Sequence, residues 1–160
     1  MKVRPTDLEV DLRRMYSAFL DTGTPPLSRR ISFWLQNSEF HCVACYRLGR
    51  TALRLRAEGH WAAEPLNIAY RIWNRWTTHL HHFELSRCAD IGPGLLLMHR
   101  HGVVVGPAVI GADYVIHQNV TIGQRVAGGD RSVPTIGRDV WIGPGAVVTG
   151  GITVGDGATI

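Results

Sequence analysis

The chain has 160 residues, 45% of them hydrophobic, with a formal net charge of +4 and a pI near 9.3. That length suits one or two small domains with a real core, and no apolar run is long enough to span a bilayer. Three cysteines, Cys42, Cys45 and Cys88, are too few and too unevenly placed for a disulfide framework. With no signal-peptide pattern after Met1, the expected compartment is the cytoplasm.

The first half reads as helical. Asp7 to Leu20 carries Leu8, Leu12, Met15, Phe19 and Leu20 at helical spacing, and Gly23 with Pro25-Pro26 stops it. A short segment follows from Ser28 to Leu35. Phe40 to Ala57 then sets Phe40, Val43, Ala44, Leu48, Ala52 and Leu55 on one side, ending near Gly59. Pro65 opens a further helix over Leu66 to His79 as a first-turn proline. Its Ile68, Ile72, Trp73 and Trp76 are expected in the core or against another subunit. Cys42 and Cys45 have CxxC spacing but no second pair, so both are expected as buried core thiols. The run His79-Leu80-His81-His82 lacks the i, i+4 spacing of a helical zinc pair. It is expected as a polar junction, with no metal.

Much of the positive charge falls in this half, at Arg13, Arg14, Arg29, Arg30, Arg47, Arg50, Arg54 and Arg56. These residues form no stripe interleaved with aromatics and match no nucleic-acid motif. Solvated helix faces are the expectation, with a basic surface that attracts a polyanionic ligand.

From Ile91 onward an aliphatic residue, usually followed by Gly, returns at every sixth position. Ile91-Gly92 and Leu97 keep this step, as do Ile110-Gly111, Ile116 and Ile122-Gly123, and then Ile136-Gly137, Ile142-Gly143, Val148, Val154-Gly155 and Ile160. A six-residue period is the signature of a parallel β-helix. Each hexad supplies one short strand and a corner, three hexads close a triangular coil, and stacked coils bury one another's apolar faces. Two interruptions break the step. Leu97 to Ile110 is one residue longer than two hexads, with the extra residue near Met98-His99-Arg100-His101-Gly102. Ile122 to Ile136 is two residues longer, so Gln124 to Thr135 is expected to bulge from the coil, where insertions in repeat proteins often bind ligands.

The sequence Ile-Gly-Pro-Gly-Leu-Leu-Leu-Met-His-Arg-His-Gly-Val-Val-Val-Gly at 91–106 is followed by His-Gln-Asn-Val-Thr-Ile-Gly at 117–123 and Gly-Gly-Asp-Arg at 128–131. With a helical region ahead of it, this resembles the serine O-acetyltransferase family and the similar O-acetyltransferases of polysaccharide clusters. The resemblance is specific from Phe83 onward and reaches back through Tyr46-Arg47 to Phe40-His41. It implies an α+β fold: a helical N-terminal domain over 1–82, then a left-handed parallel β-helix of hexapeptide repeats over 83–160. It also implies a homotrimer, whose helical domains can pair trimers into hexamers.

Moving an acetyl group from a thioester to a hydroxyl needs a base, because an alcohol at neutral pH is a weak nucleophile. Histidine suits that task, and a carboxylate on its other ring nitrogen fixes the tautomer. His99 lies where the family carries its catalytic histidine, and Glu84, fifteen residues earlier, where it carries the partner carboxylate. By the same resemblance Asp130 and Arg131 bind the acceptor, Arg131 through a bidentate carboxylate contact. Two positions depart from the pattern: Met98 stands where serine enzymes carry Asp, and Ser132 where they carry a second histidine. His101 and His117 are candidate replacements.

Acetyl-CoA is the implied co-substrate, lying in the groove between adjacent prisms of the trimer. Gly128, Gly129, Gly143, Gly145, Gly150 and Gly151 are implied to meet it through backbone amides, while Pro144 has no amide hydrogen to offer. The chain stops at Ile160, at the start of a hexad, where the family continues with further coils and a tail that helps cover coenzyme A and holds a cysteine synthase partner. A shortened or naturally short chain with weaker coenzyme A binding is expected. The expected function is acetyl-CoA-dependent O-acetyl transfer to L-serine. A sugar hydroxyl is the alternative acceptor, and a non-catalytic β-helix scaffold the alternative from another class.

Overall fold

The computed structural model describes residues 5–126 and 131–160, and the elements below are those of the described residues. Helix α1 (Asp7–Leu20) opens on a capping box: the Glu9 amide donates to the Thr6 hydroxyl at 3.3 Å, and the Thr6 amide to the Glu9 carboxylate at 2.6 Å. It ends where Asp21 turns left-handed at φ 53°. Helix α2 (Leu27–Gln36) follows, then α3 (Ser38–Ala57), capped by Asn37 accepting from the Phe40 amide at 2.6 Å. Helix α4 (Ala63–His81) packs on α3 so closely that a Cβ on Gly49 would lie 2.6 Å from the Tyr70 ring.

The strands follow as β1 (Glu84–Leu85), β2 (Asp90–Ile91), β3 (Leu96–Leu97), β4 (Val104–Val105), β5 (Val109–Ile110), β6 (Val115–Ile116), β7 (Thr121–Gly123), β8 (Thr135–Ile136), β9 (Trp141–Ile142), β10 (Val147–Thr149) and β11 (Thr153–Val154). They stack in parallel on three faces: β1-β4-β7-β10, β2-β5-β8-β11 and β3-β6-β9. Every third strand returns to the same face, which is the triangular coil that the hexad period predicts. Leu85, Val105, Ile122 and Val148 stack inside the first face, Ile91, Ile110 and Ile136 inside the second, and Leu97, Ile116 and Ile142 inside the third. None of these is more than 5% exposed. The core continues across the junction at His82, because Cys42, Val43 and Tyr46 of α3 pack into the same cluster.

Strand register corrects both interruptions. Ile122 and Ile136 are consecutive steps of the solenoid, since β7 pairs with β10 and β8 with β5. The segment between them therefore covers fourteen residues where six suffice, an insertion of eight rather than two. The earlier irregularity is also compound. Leu97 to Val105 takes eight residues and Val105 to Ile110 takes five, so a long corner at 98–103 precedes a short one.

A buried ion pair joins the helices to the first coil. Arg47 donates from Nε to Asp11 Oδ2 at 2.7 Å, and also to the carbonyls of Ile91 and Gly92, each at 2.7 Å. Asp11 Oδ1 accepts from the amides of Gly94 and Leu95, each at 2.8 Å. Arg47, expected on a solvated face, is 6% exposed, and Asp11 is fully buried. The first coil has no coil before it, so its corner carbonyls and amides need partners from elsewhere, and the helices supply them. Tyr46 does the same, donating to the Ala89 carbonyl at 2.9 Å and accepting from the Ile91 amide at 3.1 Å. Cys42 and Cys45 are buried free thiols, pushed up to about 12 and about 11 by desolvation. Ile68, Ile72 and Trp76 of α4 do not enter the core of the chain: each is more than half exposed.

Candidate active site

His99 stands exposed in the long corner between β3 and β4. Three backbone bonds fix that corner. The Met98 amide donates to the Ile116 carbonyl at 3.0 Å, the Gly102 amide to the His82 carbonyl at 3.0 Å, and the Asn119 amide to the His101 carbonyl at 2.8 Å. Gly102 has φ +69° and no room for a side chain, since a Cβ there would sit 2.2 Å from Asn119 Oδ1. Between these anchors Arg100 turns back to α3 and donates to Glu39 at 2.9 Å. A corner pinned from both sides presents the His99 ring outward.

The coils below continue the column. His117 occupies the equivalent corner one coil on, with its ring centroid 6.2 Å from that of His99, and Trp141 lies 5.0 Å beyond His117. Burial, with the charge of His99 adding to it, holds His117 below the usual imidazole range. Its Nε2 is buried without a hydrogen-bond partner, as is Oε1 of the adjacent Gln118. This corner therefore offers an exposed imidazole, a neutral imidazole with an open ring nitrogen, and a half-exposed indole. Periodicity alone missed Trp141, because it is in register with Val115 and its ring reaches His117 across two positions of the column.

Glu84 begins β1, where it is exposed and pairs with Val104 at the exit of the His99 corner. The backbone thus sets Glu84 and His99 on adjoining turns at the same edge. No hydrogen bond or ion pair joins the two side chains among the described residues. His101 is exposed beside them.

Arg131 lies elsewhere. Its segment leaves the coil between β7 and β8, at the corner joining the first and second faces, whereas His99 and His117 occupy the corner joining the third and first. The Arg131 carbonyl accepts from Gln124 at 3.4 Å, and Ser132 crosses Gly151, where a Cβ would meet it at 2.8 Å. A single chain therefore does not bring Arg131 to His99. Gly128, Gly129 and Asp130 lie outside the described residues.

The glycines divide in the same way. Gly143 and Gly145 share the His99 corner column, while Gly150 and Gly151 lie under the Arg131 segment. The amide of Gly143 donates to the Ile160 carbonyl at 2.7 Å, that of Gly145 to Gln118 at 3.0 Å, and that of Gly150 to Gly123 at 2.9 Å. These three amides, expected to meet coenzyme A, are already engaged in holding coil to coil. Among the described residues no three His, Cys, Asp or Glu side chains converge as metal ligands.

Six-residue steps stacked on three parallel faces, with an outward corner histidine, define a hexapeptide-repeat β-helix protein. Residues 134–160 match the family model described as bacterial transferase hexapeptide (six repeats). The serine acetyltransferase of Escherichia coli strain K12 is 36% identical over 143 residues, covering 87% of this chain and 48% of that protein. Among solved structures, the serine acetyltransferase of Neisseria gonorrhoeae in complex with serine is 27% identical with a TM-score of 0.70, covering 96% of this chain and 57% of that one. The enzyme from Brucella abortus strain S19 in complex with coenzyme A is 25% identical with a TM-score of 0.71, covering 95% and 56%. The chain belongs to the serine O-acetyltransferase family. It spans about half the length of the curated relatives it matches.

Proposed function

We propose that this chain carries the catalytic corner of an acetyl-CoA-dependent O-acetyltransferase with L-serine as acceptor. The observation that carries the reading is His99, exposed in a corner rigidly pinned between coils and helices. His99 takes the proton of the acceptor hydroxyl as its oxygen attacks the thioester carbonyl. The tetrahedral intermediate then expels the coenzyme A thiolate, and the imidazolium returns the proton to that sulfur. Glu84, on the adjoining turn, orients the ring and offsets its charge once it swings toward it. His117 stays neutral beside this centre and adds no competing positive charge.

The solved relatives bound to serine and to coenzyme A support this pair of substrates. In this reading the coils wind left-handed, and residues 1–82 and 83–160 act as a helical and a catalytic domain. The protein works in the cytoplasm. A homotrimer brings the Arg131 segment of one copy to the His99 corner of the next, with acetyl-CoA in the groove between prisms. Arg131 then holds the serine carboxylate, with Asp130 and His101 beside it. Gly128, Gly129 and Gly151 line the groove, with Gly143, Gly145 and Gly150 present as corner backbone rather than amide donors.

A sugar acceptor is the second reading, and two observations favour it. Met98 is packed against the helical core where serine enzymes carry a carboxylate, and Trp141 offers a half-exposed ring beside His117 on which a sugar can stack. Thiol release from acetyl-CoA, followed with L-serine and with a panel of sugars, separates these readings. His99→Ala is expected to lower release by about a hundred- to ten-thousand-fold while leaving the oligomeric state unchanged. Full turnover in that variant would remove His99 from the chemistry. Wild-type protein that releases no thiol with any acceptor would favour the scaffold reading.

A further inference from the structure

Helix α4 has one face committed and one face bare. Tyr70 and Thr77 are buried, Tyr70 against Gly49 of α3. On the other side Ile68, Ile72, Trp76 and Leu80 recur at every fourth position, at 57%, 59%, 62% and 59% exposure, and Trp61 just ahead of the helix is 82% exposed. Arg71, Arg75 and His79 each precede one of these apolar residues and are exposed. Arg71 and Arg75 make no ion pair or hydrogen bond among the described residues. The single acid of the helix, Glu64, sits in the first turn and faces Arg56 at 3.6 Å.

We propose that this face of α4 docks on an anionic lipid bilayer. Aliphatic side chains and tryptophan flanked by arginine match the interface between acyl chains and headgroups. The apolar stripe enters the outer acyl region, the indole sits at headgroup level, and the guanidinium groups meet lipid phosphates. Charge decides against a second copy as the occupant. Two such stripes laid together would set Arg71 and Arg75 near their own equivalents, with only Glu64 at one end to offset them. A negative bilayer satisfies the apolar and the cationic residues at once. Attachment is peripheral, since among the described residues no helix is long and apolar enough to cross a membrane.

The test is sedimentation of the full chain with phosphatidylcholine vesicles and with vesicles that also contain phosphatidylglycerol. The protein should sediment with the anionic vesicles and be released by salt. Trp76→Gln with Ile72→Asn should abolish the effect, and Arg71→Gln with Arg75→Gln should weaken binding by about tenfold or more. These side chains are outside the core, so circular dichroism of each variant should match the parent. Binding to neither vesicle type, or equal binding to both, would overturn the proposal. So would self-association that disappears in the apolar variant, which would assign the face to a second copy of the chain.

Discussion

His117 lies between the His99 and Trp141 rings, and its surroundings decide its charge. Burial disfavours the imidazolium at His117 and at His81, with the charge of His99 adding at the first and that of Arg100 at the second. Both groups therefore titrate lower in the folded chain than in the unfolded one. As pH falls, the unfolded chain takes up protons first, so stability is full above the ordinary imidazole pKa of about 6.5 and declines below it. Thermal melts are expected to move to lower temperature between about pH 7 and pH 5. The double substitution His81→Gln with His117→Asn should flatten that slope, and an unchanged slope would show that other groups carry it. At this scale the sequence was informative about identity and silent about surroundings. His99 and His117 are eighteen residues apart, but the register pairs Leu97 with Ile116. Met98 rather than His99 is therefore the position equivalent to His117, and hexad counting alone does not bring the two rings together. That Arg47 is buried could not be read from helical spacing. Its burial depends on carbonyls of the first coil that only the folded chain brings within reach.

Among the elements, the junction of α1, α3 and the first coil is the most exacting. Asp11 and Arg47 together satisfy two corner carbonyls and two corner amides. Burial pushes the Asp11 carboxyl upward, against the pull of the Arg47 guanidinium and the two amides. Removing one partner leaves the other charge uncompensated, so Arg47→Met is expected to cost about 3–5 kcal/mol in urea denaturation. The paired substitution Asp11→Leu with Arg47→Met should recover part of that loss, because no lone charge remains. A cost near zero for the single variant would mean that water replaces the pair. Helix positions were legible because caps and breakers mark them: Asp7 and Leu20 bound α1 in both the sequence pattern and the structure. The solenoid insertions were legible in place but not in size. A six-residue ruler counts only remainders, so an insertion of eight reads as two, and adjacent changes of plus two and minus one read as one.

The whole molecule places its two candidate acceptor elements on different corners of the prism. If the catalytic centre forms between copies, a copy carrying His99→Ala and a copy carrying Arg131→Ala are each inactive alone but complementary together. Mixed in equal amounts after gentle dissociation, the two variants should regain about a quarter of parental thiol release, as random mixing of sites requires. No recovery, with mixed assemblies present, would put both residues in one chain's own site. The segment between β7 and β8 has a further consequence. Lengthening a loop from six to fourteen residues adds on the order of 1 kcal/mol of closure entropy, and the strands on either side keep their pairing. Small insertions and deletions there leave the phase of every later coil untouched. In evolutionary terms, the part of the chain proposed to face the acceptor can drift in length almost independently of the part that holds the fold, so new acceptor preferences can be sampled without first relearning how to fold.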